Sequence, residues 1–246
     1  MRIDLLHRFA DLVGPSEAAV PLFDSAMLYA AALQDGDTWA EARGARTEIE
    51  LAVVDHCAGR AGAVDIAEGV LEFLRRNRFR GNIRSYEDPR NSLMDRVLER
   101  RLGLPISLCV LAIHLAERCG VELHGLSFPG HFLVGLQVDE PGAEPQVWDP
   151  FRGGRRLQLD ELAALFTSVV GHHVEPDSPE LHLHLRPCHS RLILTRMLEN
   201  LRRHYGMAHE LDRVADTLEL LATLHPEVPQ IREMLDQHPP QHHLLN

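Results

Sequence analysis

The chain has 246 residues, room for one large domain or two small ones, and 45% of them are hydrophobic, an ordinary globular fraction. Its formal charge of -11 repels phosphate backbones, which argues against nucleic-acid binding as the main role. No apolar run approaches the roughly eighteen residues that suggest a membrane helix, and MRIDLLHRFADL lacks the apolar core of a secretory signal, so a cytoplasmic protein is expected.

Every basic residue apart from histidine is Arg, a bias that GC-rich coding accounts for. Without Lys, Schiff-base and lysine general-base chemistry are excluded. Cys57, Cys109, Cys119 and Cys188 are widely spaced and form no CxxC pair, so neither a disulfide framework nor a zinc ribbon is suggested.

Residues 1–80 read as helices. Ala18, Leu22, Met27, Leu28 and Ala31 have helical spacing, with Pro21 near the start. A second helix runs from about Thr38 to His56. A third carries Ile66, Val70, Leu71 and Leu74 and ends in the basic run Arg75, Arg76, Arg78 and Arg80, which reads as a solvated helix end stabilised by the helix dipole. Asp88-Pro89 marks a turn. Ser92 and Asp95 resemble a capping box for a short helix with Leu93, Val97 and Leu98 on its buried stripe. Gly103 ends that helix and Pro105 opens the next. From Pro105 to Cys119, Leu108, Leu111, Ala112, Leu115 and Ala116 predict a central helix, apolar nearly all round.

After Gly120 the period changes. Val121 to Ser127 reads as a strand, His131 to Val138 alternates as a second, Asp139 to Glu144 turns, and Gln146 to Asp149 returns as a third. Phe151 to Gly154 is a loop whose glycines permit positive φ. Leu157 to Val170 is helical. The tail predicts helices over Leu192–His204, Leu211–Leu224 and from Pro229, an arrangement like one tetratricopeptide-type unit with a partial second. One such unit cannot bury its own face and must pack on the rest of the chain or on a partner.

Three ordered motifs carry the chemistry: YEDPRNSLMDRVLERRLGLPISL over 86–108, GLSFPGHFLV over 125–134 and WDPFRGG over 148–154. Together they resemble the bacterial SirB-type transglutaminase-like family, which joins such a core to tetratricopeptide-like C-terminal helices. The resemblance implies an α+β protein in three segments: N-terminal helices over 1–83, a papain- or transglutaminase-like core over 84–185 with a central helix on a small antiparallel sheet, and a helical tail over 186–246. In catalytic relatives a Cys opens the helix, a His starts one strand and an Asp ends the next. His131 and Asp149 fall on the last two positions, where an imidazole would take the thiol proton and a carboxylate would hold its tautomer.

The Cys position falls at Pro105 to Ser107, and no Cys is there. Ser107 is the nearest oxygen nucleophile, although a first-turn Ser commonly satisfies a backbone N–H instead. Cys109 is the nearest thiol, but two residues along a helix are about 200° of rotation, so it reads as a small packed residue. Sequence leaves the hairpin register open. Closing Val138 on Pro145 sets Asp149 opposite Val134, away from the His131 face, and a one-residue shift brings it onto that face. The plainer readings are a structural His131 after the Pro-Gly turn and a turn at Asp149-Pro150. Asp88, Arg90 and Asn91 are expected to form a polar network bracing the helix entry, with Pro105, Gly130 and Gly153 shaping the backbone. His172, His173, His182, His184, Cys188 and His189 crowd together, and His182 and His184 would share one face of a short strand, but no acid or cysteine completes a zinc pattern. No metal or cofactor is therefore expected.

Two functions follow. The missing nucleophile, the helical tail and the acidic surface favour a non-catalytic protein-interaction or regulatory module, its partner engaged through the tail or a core groove. The alternative is a peptide or amide hydrolase or acyltransferase that uses His131 and Asp149 with Ser107, or less readily Cys109.

Overall fold

The computed structural model describes residues 1–15, 20–34, 39–137 and 144–237. Helices α1 (Ile3–Val13), α2 (Leu22–Ala32), α3 (Trp39–Cys57) and α4 (Ala63–Arg76) come first. Strand β1 (Arg80–Gly81), helix α5 (Met94–Arg100), strand β2 (Leu102–Gly103) and helix α6 (Pro105–Arg118) follow. Strands β3 (His124–Leu126), β4 (Leu133–Leu136), β5 (Gln146–Asp149) and β6 (Arg155–Leu157) form the sheet. Helices α7 (Leu159–Val170), α8 (Pro179–His184), α9 (Ser190–Met207), α10 (Leu211–Leu224) and α11 (Pro229–Gln237) complete an α+β fold. Ala18, Thr38 and the turn from Val138 lie outside the described residues.

Packing divides the chain into two compact units, each assembled from separate stretches. One comprises Met1–Ala45, Arg84–Arg100 and the chain from Ser190 onward. The other comprises Arg46–Ile83 and Arg101–His189.

The first unit is helical. Its α1 packs on α2, where the rings of Phe9 and Tyr29 meet edge to face at 6.5 Å. The Tyr29 hydroxyl donates to the Ser92 carbonyl at 2.8 Å, which gives the buried phenol the partner it needs. The apolar face of α9 (Ile193, Leu194, Met197, Leu198, Leu201) is wholly buried, and α9 packs on α2 and α10. Arg191 donates to the carbonyls of Val13, Pro15 and Leu224, so one guanidinium serves backbone groups left over at the ends of α1 and α10. The three tail helices stand close to their sequence-based bounds, with α10 packed on α9 and α11.

The second unit is built on α6. The side chains from Pro105 through Ala112 are all buried, and each fully buried Leu among them contributes about 1.5–3 kcal/mol of transfer free energy. Here α6 packs on α4, β3 and β4. The sheet is antiparallel in the order β3-β4-β5-β6. On one face Leu126, Leu133, Val147 and Leu157 pack with Leu162 and Phe166 of α7 and Leu181 of α8.

Several local expectations change. Residues 155–157 pair with β5 as a strand, so the helix starts two residues later than read, at Leu159, where the Gln158 N–H donates to Glu161 at 3.0 Å. His182 and His184 lie on the helix α8, where a spacing of two turns side chains about 200° apart, so they share no face. The Ser92 hydroxyl is buried and has no hydrogen-bond partner among the described residues, so it does not cap α5. The first strand of the sheet is only His124–Leu126.

Candidate functional site

The site forms where β5 ends and the turn before β4 begins. Phe128 and His131 close a turn through the His131 N–H and the Phe128 carbonyl at 3.1 Å. Gly130 takes a left-handed φ of 66°, a conformation that costs glycine little. This turn delivers His131 to the start of β4.

Strand β5 delivers Asp149. Val134 pairs with Trp148 and Gly135 with Val147, which sets Asp149 opposite Leu133. The register is the shifted one, and it brings the carboxylate to the histidine. His131 Nε2 and Asp149 Oδ2 lie 2.8 Å apart, with the histidine side chain 9% and the aspartate side chain 1% exposed. Asp149 also caps the turn Pro150–Arg152: its Oδ1 accepts from the Arg152 N–H at 3.2 Å, and its carbonyl accepts from the Gly154 N–H at 2.8 Å. Gly153 ends that turn at a φ of 85°. The Phe151 ring stands edge-on to the imidazole at 5.9 Å. Gly81 of β1 makes room for that ring, since a methyl there would collide with it.

With Nε2 on the carboxylate, Nδ1 is the nitrogen left to exchange a proton with another group. A carboxylate in this position fixes the tautomer and orients the ring. The pair is thus chemically able to orient a base.

Residues 42–199, more than half of the chain, match the profile described as the Transglutaminase-like superfamily. The chain belongs to the transglutaminase-like superfamily.

Several curated proteins are similar to this chain. A UPF0162 protein of Xylella fastidiosa is 44% identical over 152 residues, covering 62% of this chain and 53% of the relative. A UPF0162 protein of Pseudomonas aeruginosa is 31% identical over 151 residues, covering 61% and 52%. The human F-box only protein 21 is 28% identical over 162 residues, covering 63% of this chain and 24% of that protein. The chain thus aligns with about half the length of the curated bacterial relatives named here. No solved structure matches it significantly.

In this transglutaminase-like core neither candidate nucleophile faces solvent. Ser107 lies in the first turn of α6 behind Pro105 and is wholly buried. Cys109 is also wholly buried, and its thiol donates to the Phe132 carbonyl at 3.4 Å. Burial pushes the Cys109 thiol well above its ordinary range, and the nearby Asp149 charge pushes it the same way. A neutral, hydrogen-bonded thiol is a poor nucleophile.

Asp88, Arg90 and Asn91 form a separate network in the first unit. Asp88 caps the short turn Pro89–Asn91 through the Arg90 N–H at 3.0 Å and pairs with Arg90 at 2.9 Å and Arg100 at 3.0 Å. Burial opposes its ionisation, but the Arg90 bonds and the Arg100 charge outweigh that, so its carboxyl titrates below the usual range. The wholly buried Asn91 donates to the carbonyls of Ser85 and Tyr86 at 2.7 and 3.1 Å. These residues hold the turn that leads into α5.

Sequence reasoning missed the parts played by Arg152 and Phe151 as supports of the pair, and the contact between Gly81 and Phe151. It also missed the half-buried trio in which Glu50 accepts from Arg46 at 2.7 Å and lies 2.6 Å from His114 on α6. The spacing of Arg46 and Glu50, four residues apart on one helix, was the available signal for that trio.

Proposed function

We propose that this chain is a SirB-type member of its superfamily acting without catalysis, as a cytoplasmic regulatory or protein-interaction module with a tetratricopeptide-like tail. One observation carries the reading: both candidate nucleophiles, Ser107 and Cys109, are wholly buried, and the thiol is held neutral against a backbone carbonyl. A serine hydroxyl needs an adjacent base even more than a thiol does, because it is scarcely ionised at neutral pH. In this reading the His131–Asp149 pair ties the end of β5 to the turn before β4. The stacked helices α9, α10 and α11 support the tail as the partner-binding element.

The 2.8 Å contact between His131 and Asp149 favours a second reading, a peptide or amide hydrolase or acyltransferase with Ser107 as nucleophile. Labelling separates the two. The folded chain is treated with a fluorophosphonate and, separately, with iodoacetamide, and modified residues are mapped by mass spectrometry. The non-catalytic reading expects no labelling of Ser107 or Cys109 above that of the denatured chain. Fast labelling at either residue, abolished in His131→Ala, overturns it.

A further inference from the structure

A cleft of about 470 Å³ lies behind β5, between the sheet and α4. Trp148 and Arg156 are register partners and share the sheet face that lines it, whereas Asp149, the next residue in β5, belongs to the opposite face. Arg75 at the end of α4, Arg152 and Gly153 of the turn after Asp149, and Arg155 of β6 complete the rim. Glu68 and Glu72 also line it. Glu72 is already bound by Arg60 and Arg76, each at 2.6 Å, and Glu68 sits 4.0 Å from Arg156. Arg75 has no carboxylate partner among the described residues, and its aliphatic stem lies 3.9 Å from where a Cβ on Gly153 would stand.

Three features point to an anionic ligand. First, four arginines against two glutamates give the lining a formal excess of two positive charges on a chain whose formal charge is -11; Arg155 is already paired with Glu161 at 2.5 Å, so Arg75, Arg152 and Arg156 are the arginines left for a ligand. Second, the walls are guanidiniums, whose planar donor pairs match oxyanions in bidentate geometry. Third, Trp148 is 1% exposed, yet its Nε1–H has no acceptor among the described residues. A buried donor without an acceptor costs about 1–3 kcal/mol, so such groups are rare unless something supplies one.

We propose that this cleft binds a doubly charged phosphate group, free or as the monoester of a small molecule. The excess of arginine over carboxylate in the lining favours a dianion with several acceptor oxygens over a single carboxylate. The site also reaches the His131–Asp149 pair. Arg152 Nε lies 3.8 Å from Asp149 Oδ2 while its backbone N–H holds Oδ1, so a ligand that draws the Arg152 guanidinium into the cleft removes a charge from beside the pair.

The test uses the whole chain titrated with inorganic phosphate at about pH 7.5, where phosphate is mostly dianionic, with ionic strength matched by chloride. Calorimetry reads the binding. The indole N–H resonance of Trp148, told from that of Trp39 with a Trp39→Phe variant, reads the location. The expected result is saturable binding with a Trp148 shift of the same midpoint. Arg75→Gln and Arg152→Gln should each weaken it about tenfold or more, as loss of a charge-assisted contact implies. Arg75→Lys should restore part of the loss, and acetate should bind at least about tenfold more weakly. Both glutamine variants alter exposed side chains, and unchanged circular dichroism checks their folding. No saturable binding overturns the proposal. So does binding that both glutamine variants leave unchanged, or acetate binding as tightly as phosphate.

Discussion

Cys119 shows how burial sets reactivity at a single residue. Its thiol is pushed up to about 12, by burial first and then by the neighbouring Cys57. The thiolate is the nucleophile, so alkylation of the folded chain should be slow at pH 8 and should climb as pH rises from about 9 toward 12; mass spectrometry of iodoacetamide-treated samples reads this. Alkylation at pH 8 as fast as in the denatured chain would refute it. Asp95 on α5 is the converse case. It is buried, and burial raises its carboxyl above the usual value, with Arg96 offsetting only part. A raised carboxyl favours the fold when protonated: that contribution is present below about pH 4 and is lost as pH rises through the raised value. Asp95→Asn should therefore be more stable than the parent at pH 7 by about 1 kcal/mol, with the gain vanishing toward pH 4, as followed by urea denaturation.

The contact between His131 and Asp149 was half legible in the chain. Their residue types and order were readable, but the register was not, because a one-residue shift of the closing turn moves Asp149 from one face to the other. The structure takes the closure that puts Asp149 opposite Leu133. Arg152 and Phe151 escaped notice because their work is done by a backbone N–H and by a ring edge, and neither leaves a pattern in residue types.

Among the elements, the long helices α4, α6, α9 and α10 were readable from apolar spacing, because each buries one broad face or nearly all of its surface. Several of the shortest were not. Strands β1, β2 and β6 have only two or three residues, too few for an alternation to show; β1 and β2 complete each other's ladder from distant stretches, and β6 folds back on β5. Gly81 in β1 carries consequences for the site. Gly81→Ala forces the Phe151 ring to move and so disturbs the wall beside His131. The variant should lose about 1–3 kcal/mol by the cost of overpacking, and the His131 ring proton signals should shift in its NMR spectrum. Unchanged signals would mean that the ring is not held as described.

At the scale of the molecule, two compact units interleave in sequence, a feature that rests on long-range packing and therefore on no local signal. The acidic balance was legible at once. A chain at -11 should leave duplex DNA unretarded in a gel at physiological salt, since non-specific binding rests on neutralising phosphates; a salt-sensitive shift would contradict this. The arginine cleft is compatible with that result, because it matches one dianion and not a polyanion.

In the non-catalytic reading proposed above, His131 and Asp149 hold structure where a cysteine-bearing site would use them for chemistry. Residues kept for catalysis commonly cost stability, so replacing them tends to stabilise a protein, whereas breaking a buried hydrogen-bonded pair destabilises it. The most direct measurement is urea unfolding of the parent and of His131→Gln. His131→Gln should lose about 2 kcal/mol or more; a variant as stable as the parent, or more so, would contradict the structural role.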